Sequence, residues 1–262
     1  TLLELLKSGV HFGHQTSRWH PRMKPFIFTA RNGIHIINLE KSLEQLKVAQ
    51  SFLRDVTARG GAVLFVGTKR QAKEIVQRYG KESGSLYITE RWLGGLFTNF
   101  GIVSKLVQRL RKLTEDKQAG NLEKYTKKER LRFDEEIEKL EKFVGGIREL
   151  RALPQAVVIV DIKTEKTALR EAKKVGLPIV AMVDTNTDPE GITYPIPAND
   201  DATKSIELIV HCLADAVKEG KDIAVERGIA AAKEAAEQAA VVSDTAPVAE
   251  VKPVMKAAEV AA

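Results

Sequence analysis

Short apolar runs alternate with amphipathic segments along most of the chain. The runs lie at residues 34–38, 62–66, 86–88, 156–160, 179–183 and 192–196, and several are followed by a segment with helical periodicity. Runs that are apolar at nearly every position predict strands buried on both faces, as in a parallel sheet covered by helices. The pattern therefore predicts a doubly wound parallel α/β sheet, closed by a helix at residues 201–219.

The pattern changes between residues 101 and 150, where two long helical segments meet at Gly120 and Asn121. Apolar residues recur there at intervals of three and four: Val103, Leu106, Leu110 and Leu113, then Phe133, Ile137, Leu140, Val144 and Ile147. This spacing predicts an antiparallel coiled-coil hairpin whose narrow seam is buried only against the partner helix. The hairpin is predicted to interrupt the sheet between its third and fourth strands.

These patterns divide the chain into four parts. Residues 1–33 are expected to form an N-terminal helix and a basic, aromatic, extended loop. Residues 34–100 and 151–220 form the α/β sheet domain, residues 101–150 the hairpin insertion, and residues 221–262 an Ala/Glu-rich tail. The tail has little periodicity and is expected to be disordered.

The composition limits the cellular compartments expected for the protein. No apolar run approaches the roughly 20 residues needed to span a bilayer, so no membrane is expected among the partners. The single cysteine, Cys212, allows no disulfide within the chain. We therefore expect a cytoplasmic protein.

The charge is moderately basic and unevenly distributed. The net charge is +6 and the isoelectric point is near 9.2. Residues 101–132 hold ten Lys or Arg against four Asp or Glu, a local balance of +6. A solvated helix face would explain such a run, whereas basic helices that project from a globular body suit a polyanion.

Basic residues also alternate with aromatic residues in the first part of the chain. Arg18, Arg22, Lys24 and Arg31 are interspersed with aromatic residues that include Trp19. Guanidinium groups pair with phosphates and flat rings stack on unpaired bases, so this segment is predicted to contact RNA. The alternative is a hydrophobic clamp that holds the N-terminus on the core.

Two cations follow the second predicted strand. Lys69 and Arg70 open a helix there, where positive charge is unfavourable unless an anion is bound. The glycine spacings of phosphate loops and of dinucleotide-binding turns are both absent. A backbone phosphate of RNA would satisfy these cations as well as a nucleotide would.

Acidic residues lie at the ends of later strands. Asp184, Asp200 and Asp201 would hold a divalent cation, Zn or Mg, if the loop carrying His14 folds over them. No Cys lies nearby to complete a structural zinc site. The alternative is that Asp200 or Asp201 caps the helix that follows.

Several sequence blocks resemble the family of the bacterial small-subunit ribosomal protein conventionally numbered two, from Leu2 to about Gly220. The blocks lie, in this order, at residues 9–16 (GVHFGHQT), 23–27 (MKPFI), 31–37 (RNGIHII), 64–69 (LFVGTK), 91–95 (RWLGG), 98–99 (TN), 153–154 (LP), 183–186 (VDTN), 188–189 (DP) and 197–202 (PANDDA). Their number and order make the resemblance specific.

The resemblance implies a flavodoxin-like sheet with an inserted coiled-coil hairpin and no catalytic role, no required cofactor and no small-molecule substrate. It implies binding to small-subunit ribosomal RNA and to neighbouring small-subunit proteins, including the large mRNA-binding one, on a bacterial or organellar ribosome. The residues expected to contact RNA are Arg18, Trp19, Arg22, Lys24, Arg31, Lys69, Arg70, Arg91, Trp92, Asn99, Lys105, Arg109, Lys127, Lys128 and Arg130.

Two other classes of function remain open. An enzyme would use the α/β crevice for a nucleotide or a sugar phosphate, although the expected glycine-rich loop and ribose-binding acid are absent. A protein-only scaffold would use the hairpin to dock a partner helix.

Overall fold

The computed structural model describes the backbone of residues 1–244 and the side chains of residues 1–228. Its helices and strands, in chain order, are α1 (Leu2–Lys7), β1 (Phe12–Gln15), β2 (Ile27–Arg31), β3 (Ile34–Ile37), α2 (Leu39–Ala58), β4 (Val63–Val66), α3 (Lys73–Glu82), β5 (Leu86–Ile88), α4 (Phe100–Gln118), α5 (Lys127–Val144), β6 (Ala156–Ile159), α6 (Lys166–Val175), β7 (Ile179–Val183), β8 (Tyr194–Pro197) and α7 (Thr203–Asp244). Two compact units are distinguished, Thr1–Ala224 and Val225–Ala262, and the first contains all strands of the described residues.

Five strands form a parallel sheet in the order β5-β4-β6-β7-β8. Counted along the chain this is the order 2-1-3-4-5 of flavodoxin-like folds, so the predicted fold class is confirmed. Alternate residues enter two separate cores, with Phe65 and Val158 on one face of the sheet and Leu64 and Ile159 on the other. Helices cover both faces, which explains why these strands are apolar at every position.

The first strand predicted for the parallel sheet lies in a different, antiparallel sheet. β3 pairs antiparallel with β1 and β2 in a separate three-stranded sheet. Asn32 and Gly33 both have positive φ and form the turn between β2 and β3, as is typical of a two-residue hairpin. The assignment of residues 34–38 to the parallel sheet was wrong, and the boundary drawn at residue 33 falls within this hairpin.

The helices α4 and α5 lie between β5 and β6 in the chain, the second and third strands of the parallel sheet. Lys117, near the end of α4, pairs with Asp134, in the middle of α5, at 2.7 Å. Arg109, in the middle of α4, pairs with Glu136 at 2.9 Å. As the α4 residue number falls from 117 to 109, the number of its partner on α5 rises from 134 to 136, which is the order expected for an antiparallel pair. The coiled-coil hairpin itself stays a prediction.

The predicted seam differs from the buried face of α4. The buried residues of that helix are Val103, Val107, Leu110 and Leu113, whereas Leu106 is 38% exposed. Val103, Val107 and Leu110 share one core with sheet residues such as Leu64. The expectation that this stripe is buried only against the partner helix was wrong.

Helix α7 is longer than the pattern predicted. It continues to Asp244, so residues 221–244 belong to α7, and the disorder expected of the tail stays a prediction. Residues 245–262 of the predicted tail lie outside the described residues. Within the part of the chain that the structure describes, no helix is both long and apolar enough to cross a membrane.

Candidate functional site

The parallel sheet reverses its strand order between β4 and β6, and a lysine fills the crevice at the carboxyl ends of these strands. Lys69 Nζ lies 3.2 Å from Asp161 Oδ2, 2.9 Å from Asp200 Oδ1 and 2.6 Å from Asp201 Oδ1. Burial lowers the pKa of Lys69, but hydrogen bonds to Asp201 and Asp200 outweigh it and raise the pKa. Its ammonium group is therefore held by carboxylates of this chain, and the contact of Lys69 with RNA stays a prediction.

The loop between β4 and α3 also binds a second carboxylate, that of Glu165. The backbone N of Thr68 donates to Glu165 Oε1 at 2.8 Å. Burial raises the pKa of Glu165, against the effect of this hydrogen bond. Carboxylates of this chain therefore bind Lys69 and the backbone N of Thr68, while the Arg70 side chain is exposed.

His14 connects the N-terminal sheet to this crevice. Its Nδ1 lies 3.0 Å from Asp184 Oδ1 and its Nε2 lies 3.2 Å from Asp201 Oδ2. The hydrogen bond with Asp184 raises the pKa of His14, and burial opposes it. The backbone N of His14 donates to Thr185 Oγ1 at 2.8 Å. A Cβ at Gly13 would lie 2.6 Å from Thr185 Cγ2, so this close approach requires glycine.

The buried carboxyl groups of Asp184 and Asp200 lie close together in the crevice. Asp184 is fully buried and accepts a hydrogen bond from the backbone N of Asp200 at 3.3 Å. Burial, Asp161 and Asp184 raise the pKa of Asp200 to about 7, even though Lys69 opposes this shift. Ligand atoms of His14, Asp184 and Asp200 all lie within 4.8 Å of one another.

The capping alternative for these acids was wrong. Asn199 Oδ1, not a carboxylate, accepts from the backbone N of Asp201 at 2.9 Å and of Ala202 at 3.2 Å, just before α7. The carboxylates of Asp200 and Asp201 face Lys69 instead. The structure therefore brings together all four residues predicted as a cation site, with Lys69 and Asp161 beside them.

Most of the other cations predicted to contact RNA are exposed and, among the described residues, form no ion pair. These are Arg18, Lys24, Arg31, Arg70, Arg91, Lys105, Lys127, Lys128 and Arg130. Two more predicted cations are exposed but paired, Arg22 with Asp188 at 2.7 Å and Arg109 with Glu136. Asn99 is exposed.

The two tryptophans differ in solvent exposure. Trp19 is 37% exposed, and its ring lies 5.3 Å from that of His35. Trp92 is 8% exposed, lies 4.9 Å from the ring of Phe97, and donates its indole N–H to Glu171 at 3.2 Å. Trp92 is therefore mostly buried, and its contact with RNA stays a prediction.

The first turn of α5 carries cations at an end of the helix that is already positive. A capping box begins the helix, in which Glu129 N donates to Thr126 Oγ1 at 3.4 Å and Thr126 N donates to Glu129 Oε2 at 3.0 Å. Lys127, Lys128 and Arg130 follow in this turn, and all three are exposed. We call these three residues the tip cations.

Residues 5–220 match the ribosomal protein S2 family. Two relatives, both named "Small ribosomal subunit protein uS2", are similar to most of the chain. The one from Coprothermobacter proteolyticus is 49% identical over 222 residues, covering 85% of this chain and 83% of its own. The one from Acidothermus cellulolyticus is 53% identical over 221 residues, covering 84% of this chain and 80% of its own. The chain belongs to the ribosomal protein S2 family.

Members of the ribosomal protein S2 family are structural components of the ribosome and not enzymes, which decides against the catalytic alternative. The geometry of the crevice agrees with this. In the S2-family chain, the position where flavodoxin-like folds bind ligands holds Lys69, and its ammonium group is bound to Asp161.

One important residue of this S2-family chain was missed by the sequence reasoning. Glu171 on α6 is buried, and its carboxylate binds the segment that leads into α4. The available signal was its position, since Glu171 shares the buried face of α6 with Ala168 and Ala172. An acid on an apolar helix face requires hydrogen-bond donors, and those donors come from a part of the chain distant in sequence.

Proposed function

We propose that the chain is a structural protein of the small ribosomal subunit in the cytoplasm, and that it binds small-subunit ribosomal RNA through exposed cations. The names of its relatives support its assignment to the small ribosomal subunit. The single observation that carries RNA binding is the set of tip cations, which are exposed and form no ion pair with any described residue. They form the end of a helix pair whose base is in the core.

The position of the tip cations favours an anionic partner. The N-terminal end of a helix carries a partial positive charge, so Lys127 and Lys128 are repelled there by roughly 0.3–1 kcal/mol each. A phosphate group bound at this turn would relieve that repulsion and pair with the side chains. A protein-only partner with an apolar helix face would leave the charges unsatisfied.

A second group of exposed cations lies in the N-terminal segment. Arg18, Lys24 and Arg31 are exposed and, within the described chain, form no ion pair. Two separate cationic surfaces on a single chain suit a folded polyanion that spans both. Phosphate contacts would then fix affinity and orientation, while discrimination would come from the shape of the RNA.

We further propose that an exposed apolar groove docks a neighbouring small-subunit protein, the large mRNA-binding one. A groove of about 580 Å³ is lined by α1 and the N-terminal sheet. Leu3 and Phe28 in its walls are 60% and 73% exposed. Exposed apolar surface of this kind is typical of protein interfaces. Phe28→Ala should weaken co-purification with that protein, whereas Ile102→Ala, at an apolar position on α4 that is 58% exposed, should not.

A divalent cation is a second candidate ligand, bound by His14, Asp184 and Asp200 with Asp201 beside them. The close approach of their ligand atoms supports it, and an imidazole with carboxylates suits Zn better than Mg. Elemental analysis and a Zn titration followed by thermal unfolding test this proposal. One equivalent of Zn should raise the unfolding midpoint of the parent chain but not that of Asp184→Asn, and equal midpoints would reject the site.

The proposal of RNA binding is tested by equilibrium binding of the purified chain to small-subunit ribosomal RNA over a salt series. The association constant should fall by roughly 0.7 to 0.9 log unit per log unit of salt for each phosphate contacted. A scaffold that binds only protein would show little binding to the RNA and little salt dependence. Binding that does not change with salt would contradict the proposal.

A further inference from the structure

A buried carboxylate on α6 joins the parallel sheet to the loop that leads into α4. Glu171 is 8% exposed. Its Oε1 accepts from Trp92 Nε1 at 3.2 Å and from Gly95 N at 2.7 Å. Its Oε2 accepts from Phe97 N at 3.1 Å and from the backbone N and Oγ1 of Thr98, both at 3.4 Å. Both carboxylate oxygens are therefore engaged by donors from a single loop, residues 92–98, which we call the base loop.

The conformation of the base loop makes this possible. Gly95 has φ +91°, a left-handed conformation that side chains other than glycine rarely adopt. With this turn, the backbone N–H groups of Gly95 and Phe97 both reach the Glu171 carboxylate. Helix α4 begins at Phe100, two residues after Thr98. Fixing the base loop therefore fixes where α4 starts relative to α6.

The carboxylate acts as an anion in this site. Burial raises the pKa of Glu171, but hydrogen bonds from Gly95, Trp92, Phe97 and Thr98 outweigh it, and the pKa is lowered overall. Hydrogen bonds to an ionised group are stronger and more directional than hydrogen bonds between neutral groups. An apolar residue in this position would bury as much surface, but it would leave the backbone N–H groups of the base loop without an acceptor.

Small rotations at the base loop produce large displacements at the far end of the helix pair. Helix α4 has 19 residues, which at about 1.5 Å per residue gives a length of roughly 28 Å. A rotation of about 10° at its base would therefore move its far end by about 5 Å, which exceeds the length of a charge-assisted hydrogen bond. Contacts between the tip cations and RNA depend on an accurate direction for α4.

We propose that Glu171 is a positioning residue for RNA binding, which holds the base loop so that α4 and α5 present the tip cations to RNA while the N-terminal cations are also bound. This inference rests on the proposed function. It assigns to Glu171 no contact with RNA, so the residue acts only through the direction of the helix pair.

The test compares Glu171→Gln with the parent chain in salt-dependent binding to small-subunit ribosomal RNA, at a temperature where both are folded by circular dichroism. The slope of log K against log salt is negative, and loss of three phosphate contacts should make it shallower by about two to three. The control is Ser42→Ala. It removes a buried hydrogen bond of 2.6 Å to Pro197 O, far from the base loop in sequence, and should destabilise the fold without changing the slope.

A spectroscopic measurement follows the base loop directly. The chain has two tryptophans, so Trp19→Phe leaves Trp92 as the only indole. In that background Glu171→Gln should shift the Trp92 emission to longer wavelength, because the indole loses its charged acceptor and gains access to water. Unchanged emission would mean that Glu171 does not hold the loop, and would overturn the inference even if the variant binds RNA weakly.

A double-variant comparison separates positioning from other effects. If Glu171 acts through the tip cations, then adding Glu171→Gln to the triple variant Lys127→Glu, Lys128→Glu, Arg130→Glu should cause less than a twofold further loss of binding. Additive losses, or a Glu171→Gln slope equal to that of the parent, would overturn the inference while leaving RNA binding intact. If the parent itself shows no salt-dependent binding, the proposed function fails, and this inference fails with it.

Discussion

Lys69 Nζ lies 3.2 Å from Asp161 Oδ2, across the point where the strand order of the parallel sheet reverses. The same ammonium group also binds Asp200 and Asp201. Removing it would leave Asp161 and Asp200 buried without their cation, which typically costs 3–5 kcal/mol. At pH 8, above the pKa of about 7 of Asp200, Lys69→Met should therefore lower the free energy of unfolding by about this amount in urea titrations.

The second half of that test uses Asp200. Lys69→Met combined with Asp200→Asn removes one of the uncompensated acids and should recover at least about 1 kcal/mol of the loss. A Lys69→Met chain as stable as the parent would show that the crevice is hydrated enough to tolerate unpaired carboxylates.

The stability of the chain should fall as pH rises from about 5 to 8. The folded state raises the pKa of Asp200 from 3.8 to about 7, so between these values the folded chain holds a proton that the unfolded chain has released. The pKa of His14 is raised above 6.5, so its stabilisation is complete below that pH and is lost as pH rises through the folded value. Each pKa unit corresponds to about 1.4 kcal/mol.

The check is a series of urea titrations from pH 5 to pH 8 in the presence of a chelator. Replacing His14 and Asp200 together by Asn should flatten the dependence of the unfolding free energy on pH. A parent chain that becomes more stable across this range would contradict the electrostatics described for the crevice.

Two adjacent residues of α4 give a test of which face is buried. Val107 is 2% exposed, so Val107→Asp places a charge in the core and should cost at least about 3 kcal/mol. Leu106 is 38% exposed, so Leu106→Asp should cost no more than about 1 kcal/mol. Urea titrations of the two variants check this. A larger loss of unfolding free energy for Leu106→Asp than for Val107→Asp would support the seam predicted from spacing alone.

The choice between Leu106 and Val107 shows what spacing can and cannot predict. Both residues are apolar, and either one continues an interval of three or four from Val103 to Leu110. Periodicity predicted that two helices exist and that each has one apolar face. Packing against the sheet residues of the same core selected Val107, and the sequence of α4 contains no signal of that contact.

The crevice was predictable in part. Strand-end acids and His14 were predicted to meet because carboxyl ends of parallel strands share one edge, and the structure places His14 beside Asp184. The ion pairs of Lys69 were not predicted, because its partners Asp161 and Asp200 are distant in the sequence. An unpaired cation at a helix start predicts an anion, but it does not predict whether the anion is a phosphate or a carboxylate of the same chain.

The N-terminal sheet and the burial of Trp92 were not predicted, for different reasons. Asn32-Gly33 is a hairpin signal, yet the apolar run after it was assigned by composition to the parallel sheet. Trp92 beside Arg91 has the composition of an RNA contact, and only the tertiary position of Glu171 shows that the indole is buried.

Assembly of the tip variant into small ribosomal subunits tests RNA anchoring most directly. The variant Lys127→Glu, Lys128→Glu, Arg130→Glu should unfold at the same or a higher temperature, because acids suit the start of α5, yet its co-sedimentation with small subunits should fall steeply. The control reverses the exposed Lys47, Arg59 and Lys204 instead. Three reversals of two charges each take the net charge from +6 to 0 in both variants. The account predicts loss for the tip variant and retention for the control, and equal retention of both would contradict it.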